Sequence, residues 1–216
     1  MVAQWGLPIA AQLLLQTPFN LIRVLNQGLT LHINGALPRN QPLHCFGQIQ
    51  SLVETKHRTR VSVLLQTGTK EQPDLVEAVL HVVFVHHKDA TRKKSASAAQ
   101  HVHWEPKGSW SALEHDGWRF ALLTGDFNPI HWLSLAGRLS TLQQKMLHGF
   151  GTFARTFEQL GNTPVRQIDL RFLHPVPLPS AQLQVEQSST HSDGQYQLRL
   201  RGSDEQMHMA GSVSYQ

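Results

Sequence analysis

The sequence predicts an α+β protein made of two similar halves, each with a helix followed by antiparallel strands. Three observations support this prediction. Apolar residues recur at helical spacing in two segments, apolar and polar residues alternate in eight others, and the order of one helix and four strands occurs twice. The chain of 216 residues is long enough to bury a substantial core.

The first half begins with an apolar segment over residues 7–25. Its spacing is helical but Pro18 interrupts it, which predicts one helix or a broken pair that ends by Gly28. Alternating stretches then follow, separated by turn-rich loops, and each predicts a strand. These stretches are residues 29–33, 45–53, 60–65 and 75–85.

The second half repeats this order. Large apolar residues recur every three or four positions over residues 147–161, and Gly161 supplies a stop signal, so we expect a second helix. Four alternating stretches follow it: residues 165–173, 181–187, 195–201 and 206–215.

Two segments look like copies of one unit. LTLHINGALPRNQPLHCF (residues 29–46) and IDLRFLHPVPLPSAQLQV (residues 168–185) are offset by about 139 positions. This similarity indicates duplication of a single fold. Weak self-similarity of this kind also arises by chance in α+β proteins.

The composition changes between the halves. Residues 88–109 are rich in Lys, Ser, Ala and His without an apolar period, which predicts a linker between a unit at residues 1–87 and a unit at residues 110–216. The basic run at residues 88–94 lies in this segment and has no interleaved aromatic residues. We therefore interpret it as solvated linker, and we expect no nucleic-acid partner.

Composition also bears on location and disulfides. Hydrophobic residues make up 40% and charged residues 16% of the chain, as in soluble globular proteins. No apolar run approaches the roughly 20 residues that span a bilayer, and no Lys or Arg precedes the apolar N-terminal stretch. We expect a cytoplasmic protein without a membrane partner. The single cysteine, Cys45, excludes an intrachain disulfide.

The chain has 14 histidines, which raises the question of a metal site. The closest pairs are His86 with His87 and His101 with His103, and neither pair shows zinc-ligand spacing with a second half-site. We expect no metal.

The stretch TGDFNPIHW, residues 124–132, allows two interpretations. Asn128 and Pro129 form a good N-cap and first position of a helix, which would make Asp126 and His131 incidental. Alternatively, a sharp turn at Gly125, stiffened by Pro129, holds the acid and the histidine side by side, as general acid–base catalysis requires.

A second feature follows 17 residues after His131. His148 and Gly149 lie at the start of the predicted second helix, where a free N–H group can donate to an anionic oxygen. A small residue that permits close helix packing is the other interpretation of Gly149.

These two features carry a family resemblance. FALLTGDFNPIHW (residues 120–132) and MLHGFGTF (residues 146–153) resemble the signature of the MaoC-like or hydratase 2 family of (R)-specific enoyl-CoA hydratases and 3-hydroxyacyl-thioester dehydratases. The matching positions are Phe120, Leu123, Thr124, Gly125, Asp126, Asn128, Pro129, Ile130, His131, Met146, Leu147, His148 and Gly149.

The resemblance implies a double hotdog fold, in which each half is a central helix wrapped by an antiparallel sheet. The first half is then a degenerate hotdog without the motif. It also implies a hydro-lyase of fatty acid metabolism that hydrates trans-2-enoyl thioesters, or dehydrates (R)-3-hydroxyacyl thioesters, carried by CoA or acyl carrier protein. No cofactor is implied, and two such chains could pair as a homodimer.

Residue roles follow from the same resemblance. Asp126 and His131 would activate water and move the proton, and the N–H group of Gly149 would bind the thioester oxygen. Gly125, Asn128 and Pro129 would support the turn.

Substrate contacts and the overall activity stay open. His148, Arg138, Lys145 and Arg171 are candidate substrate-binding residues, and each of the three cations is equally plausible as a solvated surface charge. The segment of residues 134–145 departs from the family pattern, so the acyl chain length stays undetermined. The alternative functions are a non-catalytic acyl-thioester-binding hotdog protein and an acyl-CoA thioesterase.

Overall fold

The computed structural model describes residues 6–19, 24–86, 102–139 and 143–216. Within these ranges nine strands form one antiparallel sheet, accompanied by four α-helices and one 3₁₀ turn. The helices are α1 Leu7–Leu15, α2 Asp116–Thr124, α3 Ser134–Leu139 and α4 Gly149–Glu158, and the 3₁₀ turn is Pro129–His131. The strands are β1 Val24–Ile33, β2 His44–Glu54, β3 Arg58–Gly68, β4 Val76–Val85, β5 Trp104–Trp110, β6 Val165–Phe172, β7 Leu183–Ser192, β8 Gln195–Arg201 and β9 Met207–Tyr215.

The two halves share one strand order. From the centre of the sheet outward, the first half runs β1, β4, β3, β2, and the second half runs β6, β9, β8, β7, followed by β5. A helix precedes the four shared strands in each half. The predicted α+β double hotdog fold is thereby confirmed.

The halves meet where β1 pairs with β6. Thr30 lies opposite Asp169, Leu29 opposite Leu170, and Leu31 opposite Ile168. The separation between Thr30 and Asp169 is 139 positions, the same as the offset between the two sequence copies, and the Thr30 hydroxyl donates to Asp169 Oδ2 over 3.1 Å. A pseudo-twofold axis therefore passes through this residue pair, and the repeat in the sequence is a repeat in space.

One core extends through both halves. Phe153, on the inner side of α4, is 2% exposed, and it belongs to the same cluster as Ile168 and Leu170 of β6 and Leu29 of β1. Helix α1 contributes Ala10 and Leu14 to this cluster. Burying these apolar side chains is the main force that holds the helices on the sheet.

The structure corrects part of the predicted linker. Residues 104–109 belong to β5, which pairs with β7, while residues 88–101 lie outside the described ranges. Pro106 and Gly108 hid this strand from the sequence analysis because both residues disfavour strands. At the edge of the sheet a proline is tolerated, and a bulge lies between these two residues. Among the described residues β5 has no counterpart in the first half, so β2 forms the other edge of the sheet.

The first helix is shorter than predicted. It ends at Leu15, and β1 already starts at Val24, where its pairing with β4 begins. Residues 20–23 lie outside the described ranges. The other predicted strands and the helix over residues 147–161 are confirmed with small shifts of their ends. Among the described residues, no helix is both long and apolar enough to cross a membrane.

Gly28 provides a test of the junction between the halves. A Cβ atom at this position would lie 2.1 Å from the carbonyl oxygen of Leu170 on β6. We expect Gly28→Ala to lower the free energy of unfolding by about 2–4 kcal/mol, because the backbones of β1 and β6 must move apart to admit the methyl group. Urea denaturation measures the change.

Gly35→Ala is the matched control. It lies just beyond β1, and its Cβ would meet only the end of the flexible Leu75 side chain. A loss for Gly28→Ala no larger than that for Gly35→Ala would contradict the close approach of β1 and β6.

Candidate active site

The acidic loop of the motif begins where α2 ends. Gly125 has a φ of 77°, the left-handed conformation that glycine adopts most readily, and its N–H group donates to Ala121 over 2.8 Å. The Thr124 hydroxyl donates to the carbonyl of Phe120 over 2.8 Å. This C-terminal cap turns the chain sharply, so that Asp126 leaves the helix end.

Asn128 organises the next turn. Its backbone N–H group donates to Asp126 Oδ1 over 3.2 Å, and its side-chain oxygen accepts from Ile130 N–H over 3.3 Å. Pro129 takes the first position of the 3₁₀ turn that ends at His131. The predicted helix start at Asn128 and Pro129 is confirmed, although it makes only one 3₁₀ turn.

His131 is held with a defined proton arrangement. The ring is buried, and its Nδ1 atom lies 2.8 Å from the carbonyl oxygen of Met146. Because a carbonyl oxygen only accepts, Nδ1 carries the proton, and Nε2 of the neutral ring keeps its lone pair. Burial lowers the pKa of His131, which favours this neutral form.

His148 stacks on His131. The ring centroids are 3.6 Å apart, and Phe120 covers His148 at a centroid distance of 4.8 Å. Nε2 of His148 lies 3.0 Å from the carbonyl oxygen of Asp126 and therefore donates to it, whereas the buried Nδ1 has no hydrogen-bond partner among the described residues. Burial, together with the neighbouring His131, lowers the pKa of His148 to about 4.

Asp126 completes the cluster. One side-chain nitrogen or oxygen atom from each of Asp126, His131 and His148 lies within 4.8 Å of the other two. Asp126 Oδ2 is 3.8 Å from His148 Nε2, but His148 is neutral near pH 7, so the pair is not a salt bridge. The Asp126 side chain is 47% exposed, so a carboxylate reachable by solvent faces two buried neutral imidazoles.

Helix α4 begins at Gly149, the residue directly after His148 of this cluster. No side chain caps the helix, and among the described residues no group accepts a hydrogen bond from Gly149 N–H. The first N–H groups of a helix point outward and carry the positive end of its dipole. A Cβ atom on Gly149 would lie 3.1 Å from the Phe172 ring and 3.3 Å from Asn26 Nδ2. This position therefore combines a free N–H group with little space for a side chain.

Several residues that shape the site were not predicted from the sequence. Gly117 lets α2 approach the 3₁₀ turn, because a Cβ atom there would lie 1.8 Å from the carbonyl oxygen of His131. Asn26 and Phe172 come from β1 and β6 and flank Gly149. No local motif marks these three residues, since only strand pairing and packing bring them to the site.

Two of the candidate cationic residues have surroundings that bear on a phosphate contact. The Lys145 side chain is 10% exposed, and its ammonium group pairs with Glu114 at 3.0 Å. Arg171 precedes Phe172 on β6, so its side chain lies on the opposite face of the sheet from Gly149. The position of Arg171 argues against a phosphate contact by this residue, whereas a contact by Lys145 stays a prediction. Arg138, exposed on α3, stays a candidate.

Asp126, His131 and His148 also form a donor set of the kind that divalent transition metals bind. The expectation that no metal takes part in the chemistry stays a prediction. Of the two histidine pairs that are closest in sequence, His87 and His101 lie outside the described ranges, and His86 Nε2 lies 2.8 Å from the Thr59 hydroxyl.

Fold and cluster together define a double hotdog protein with a candidate acid–base site. The model of the MaoC like domain matches residues 86–199, more than half of the chain. The chain therefore belongs to the MaoC-like dehydratase family, and this membership places it among the hydratases and dehydratases, which are hydro-lyases.

Solved structures share the fold. HtdX of Mycobacterium tuberculosis is 18% identical, with 99% of this chain and 85% of HtdX covered and a TM-score of 0.77. A MaoC-like dehydratase from Phytophthora capsici is 15% identical, with coverages of 93% and 72% and a TM-score of 0.74. The peroxisomal multifunctional enzyme type 2 from Drosophila melanogaster is 18% identical, with coverages of 96% and 40% and a TM-score of 0.70. A search of curated protein sequences finds no match.

The buried histidine pair makes stability depend on pH. His148 has a pKa of about 4 in the folded protein against an ordinary value of 6.5, so the unfolded chain binds more protons between these two values. The stability present above pH 6.5 is therefore lost as the pH falls toward 4. From this group alone we expect a loss of about 3 kcal/mol, measured by urea denaturation at several pH values.

His148→Gln supplies the comparison, because glutamine does not titrate. The variant should show a flatter dependence of the unfolding free energy on pH between 6.5 and 4. Equal slopes for the two proteins would contradict the assignment of His148 as a buried neutral ring.

Proposed function

We propose that this protein reversibly hydrates trans-2-enoyl thioesters to 3-hydroxyacyl thioesters, with CoA or acyl carrier protein as the carrier. The observation that supports this proposal is the convergence of three features. The Asp126 carboxylate, the neutral His131 ring and the uncapped N-terminus of α4 meet in one place. The chemistry needs a placed water, a proton donor and a site for negative charge, and these groups match those needs.

His131 and Asp126 act on the water in this proposal. Nε2 of His131 has a free lone pair, because its Nδ1 proton is held by Met146, and the exposed Asp126 carboxylate accepts a hydrogen bond from the same water. The water oxygen forms a bond to C3 as one of its protons passes to the pair. The π electrons between C2 and C3 move into an enolate, and C2 then takes up a proton from the pair. Dehydration reverses these steps.

Gly149 binds the negative charge. As the enolate forms, its oxygen accepts a hydrogen bond from Gly149 N–H, supported by the dipole of α4. His148 positions the two other residues of the cluster. Its Nε2–H group donates to the carbonyl of Asp126, and its ring stacks on that of His131. Asn128, Gly125 and Pro129 keep the turn in shape.

The remaining features of this proposal concern the carrier contact, the two units and the assembly. Arg138 is proposed to contact the phosphates of the carrier. Residues 1–87 and residues 110–216 together with β5 are proposed as the two hotdog units. Two chains are proposed to pair as a homodimer. Light scattering of the purified protein measures that association.

The proposed activity predicts a loss of enoyl-thioester absorbance when the purified chain meets crotonyl-CoA or longer trans-2-enoyl-CoAs. Asp126→Asn and His131→Ala should each lower kcat by about 10²- to 10⁴-fold, since each removes a group that moves the proton. Treatment with a metal chelator should leave the rate unchanged.

Asp193→Asn and His191→Ala are the matched controls, because both residues are exposed around the β7–β8 turn. They should keep the activity of the unmodified protein. Release of free thiol without hydration would favour a thioesterase. Binding without any reaction of CoA or carrier-protein thioesters would favour a non-catalytic binding protein.

A further inference from the structure

We infer that Asn26, on the first strand of the N-terminal half, donates a second hydrogen bond to the thioester oxygen beside Gly149. This inference rests on the proposed function and deepens it. The half that lacks the motif then supplies part of the catalytic site, and the oxyanion hole is built from both halves.

Asn26 sits at an irregularity in β1. The pairing of β1 with β4 shifts register between Asn26 and Gly28, so the strand bulges at this point. Bulges commonly redirect a side chain out of the regular alternation. Here the half-buried Asn26 side chain is directed at the N-terminus of α4, where its Nδ2 atom lies 3.3 Å from the place a Gly149 Cβ would take.

The orientation of the Asn26 amide is determined by its neighbour. Gly28 N–H donates to Asn26 Oδ1 over 3.2 Å, so the oxygen faces the strand and the NH₂ group faces Gly149. Among the described residues no group accepts a hydrogen bond from Nδ2. The two N–H groups of Asn26 Nδ2 therefore lie unpaired beside Gly149, whose own N–H group is also unpaired among the described residues.

The second half provides an internal comparison. The residue 139 positions after Asn26 is Val165, and the pairing of β6 with β9 also shifts register between Val165 and Gln167. The same bulge therefore forms with a valine that is 5% exposed. The backbone irregularity does not need an amide. The asparagine occurs in the half whose bulge faces α4, which favours a role toward a ligand.

The chemistry suits this pair of donors. An enolate oxygen can accept two hydrogen bonds, and an uncharged amide stabilises it without binding a competing anion as an ammonium group would. Removing one such donor from other enzymes costs about 10²- to 10³-fold in kcat. The donors act mainly in the transition state, so kcat should fall while KM changes little.

The test compares Asn26→Val, Asn26→Asp and Asn34→Asp in the chain of 216 residues, with crotonyl-CoA as the substrate. Asn26→Val copies the residue found at the second bulge and should lower kcat by about 10²-fold or more. Asn26→Asp keeps the acceptor for Gly28 N–H but places a carboxylate against the enolate, so its loss should be larger. Asn34→Asp, beyond the other end of β1, is the control and should keep normal activity.

A second measurement is independent of turnover. The infrared carbonyl band of bound butyryl-CoA, which cannot be hydrated, should lie at lower frequency in the unmodified protein than in Asn26→Val. A band unchanged by Asn26→Val overturns the inference, whatever the hydration assay gives. Retention of kcat within twofold by both Asn26 variants in an active enzyme also overturns it. A carbonyl shift in a protein that hydrates no enoyl thioester supports the Asn26 contact and contradicts the proposed function.

Discussion

The pairing of β1 with β6 is the constraint on which the rest of the structure depends. It joins the four strands of the first half and the five strands of the second half into one sheet, and its centre is the contact of Thr30 with Asp169. His81 Nε2, from β4, also lies 3.0 Å from the Thr30 hydroxyl, so the centre of the sheet is linked sideways as well. A shift of one residue in this pairing would turn every inward side chain of β1 to the outer face. The apolar residues Leu29 and Leu31, each nearly inaccessible, oppose such a shift.

The site depends on this junction because its parts come from separate places in the chain. The acid and one histidine lie in the loop after α2, the second histidine and the free N–H group lie at the head of α4, and Asn26 arrives from the other half. The enclosure of His131 and His148 lowers the pKa of both rings. Burial thus keeps the rings neutral, and a neutral ring with a known proton position can accept a proton.

Much of the fold could be predicted from the sequence, because alternation and helical spacing are strong wherever one face is buried. Eight strands, the two main helices and the offset of 139 residues were visible in this way. The ninth strand was not, because Pro106 and Gly108 conceal it at an edge where pairing is needed on one side only. The motif around Asp126 and His131 was also visible, since its residues are close in sequence. Asn26, Phe172 and Gly117 were not, since their contacts with the site depend on long-range packing.

The two edges of the sheet differ in a way that bears on assembly. β5, at one edge, carries Pro106, which lacks the N–H group that an added strand would need. β2, at the other edge, has eleven residues without proline or lysine, and it exposes Phe46 and Leu52. A sheet that can be extended from one end only cannot grow into a fibre. Any association through strand edges would bring two β2 strands together and stop at a closed pair of chains.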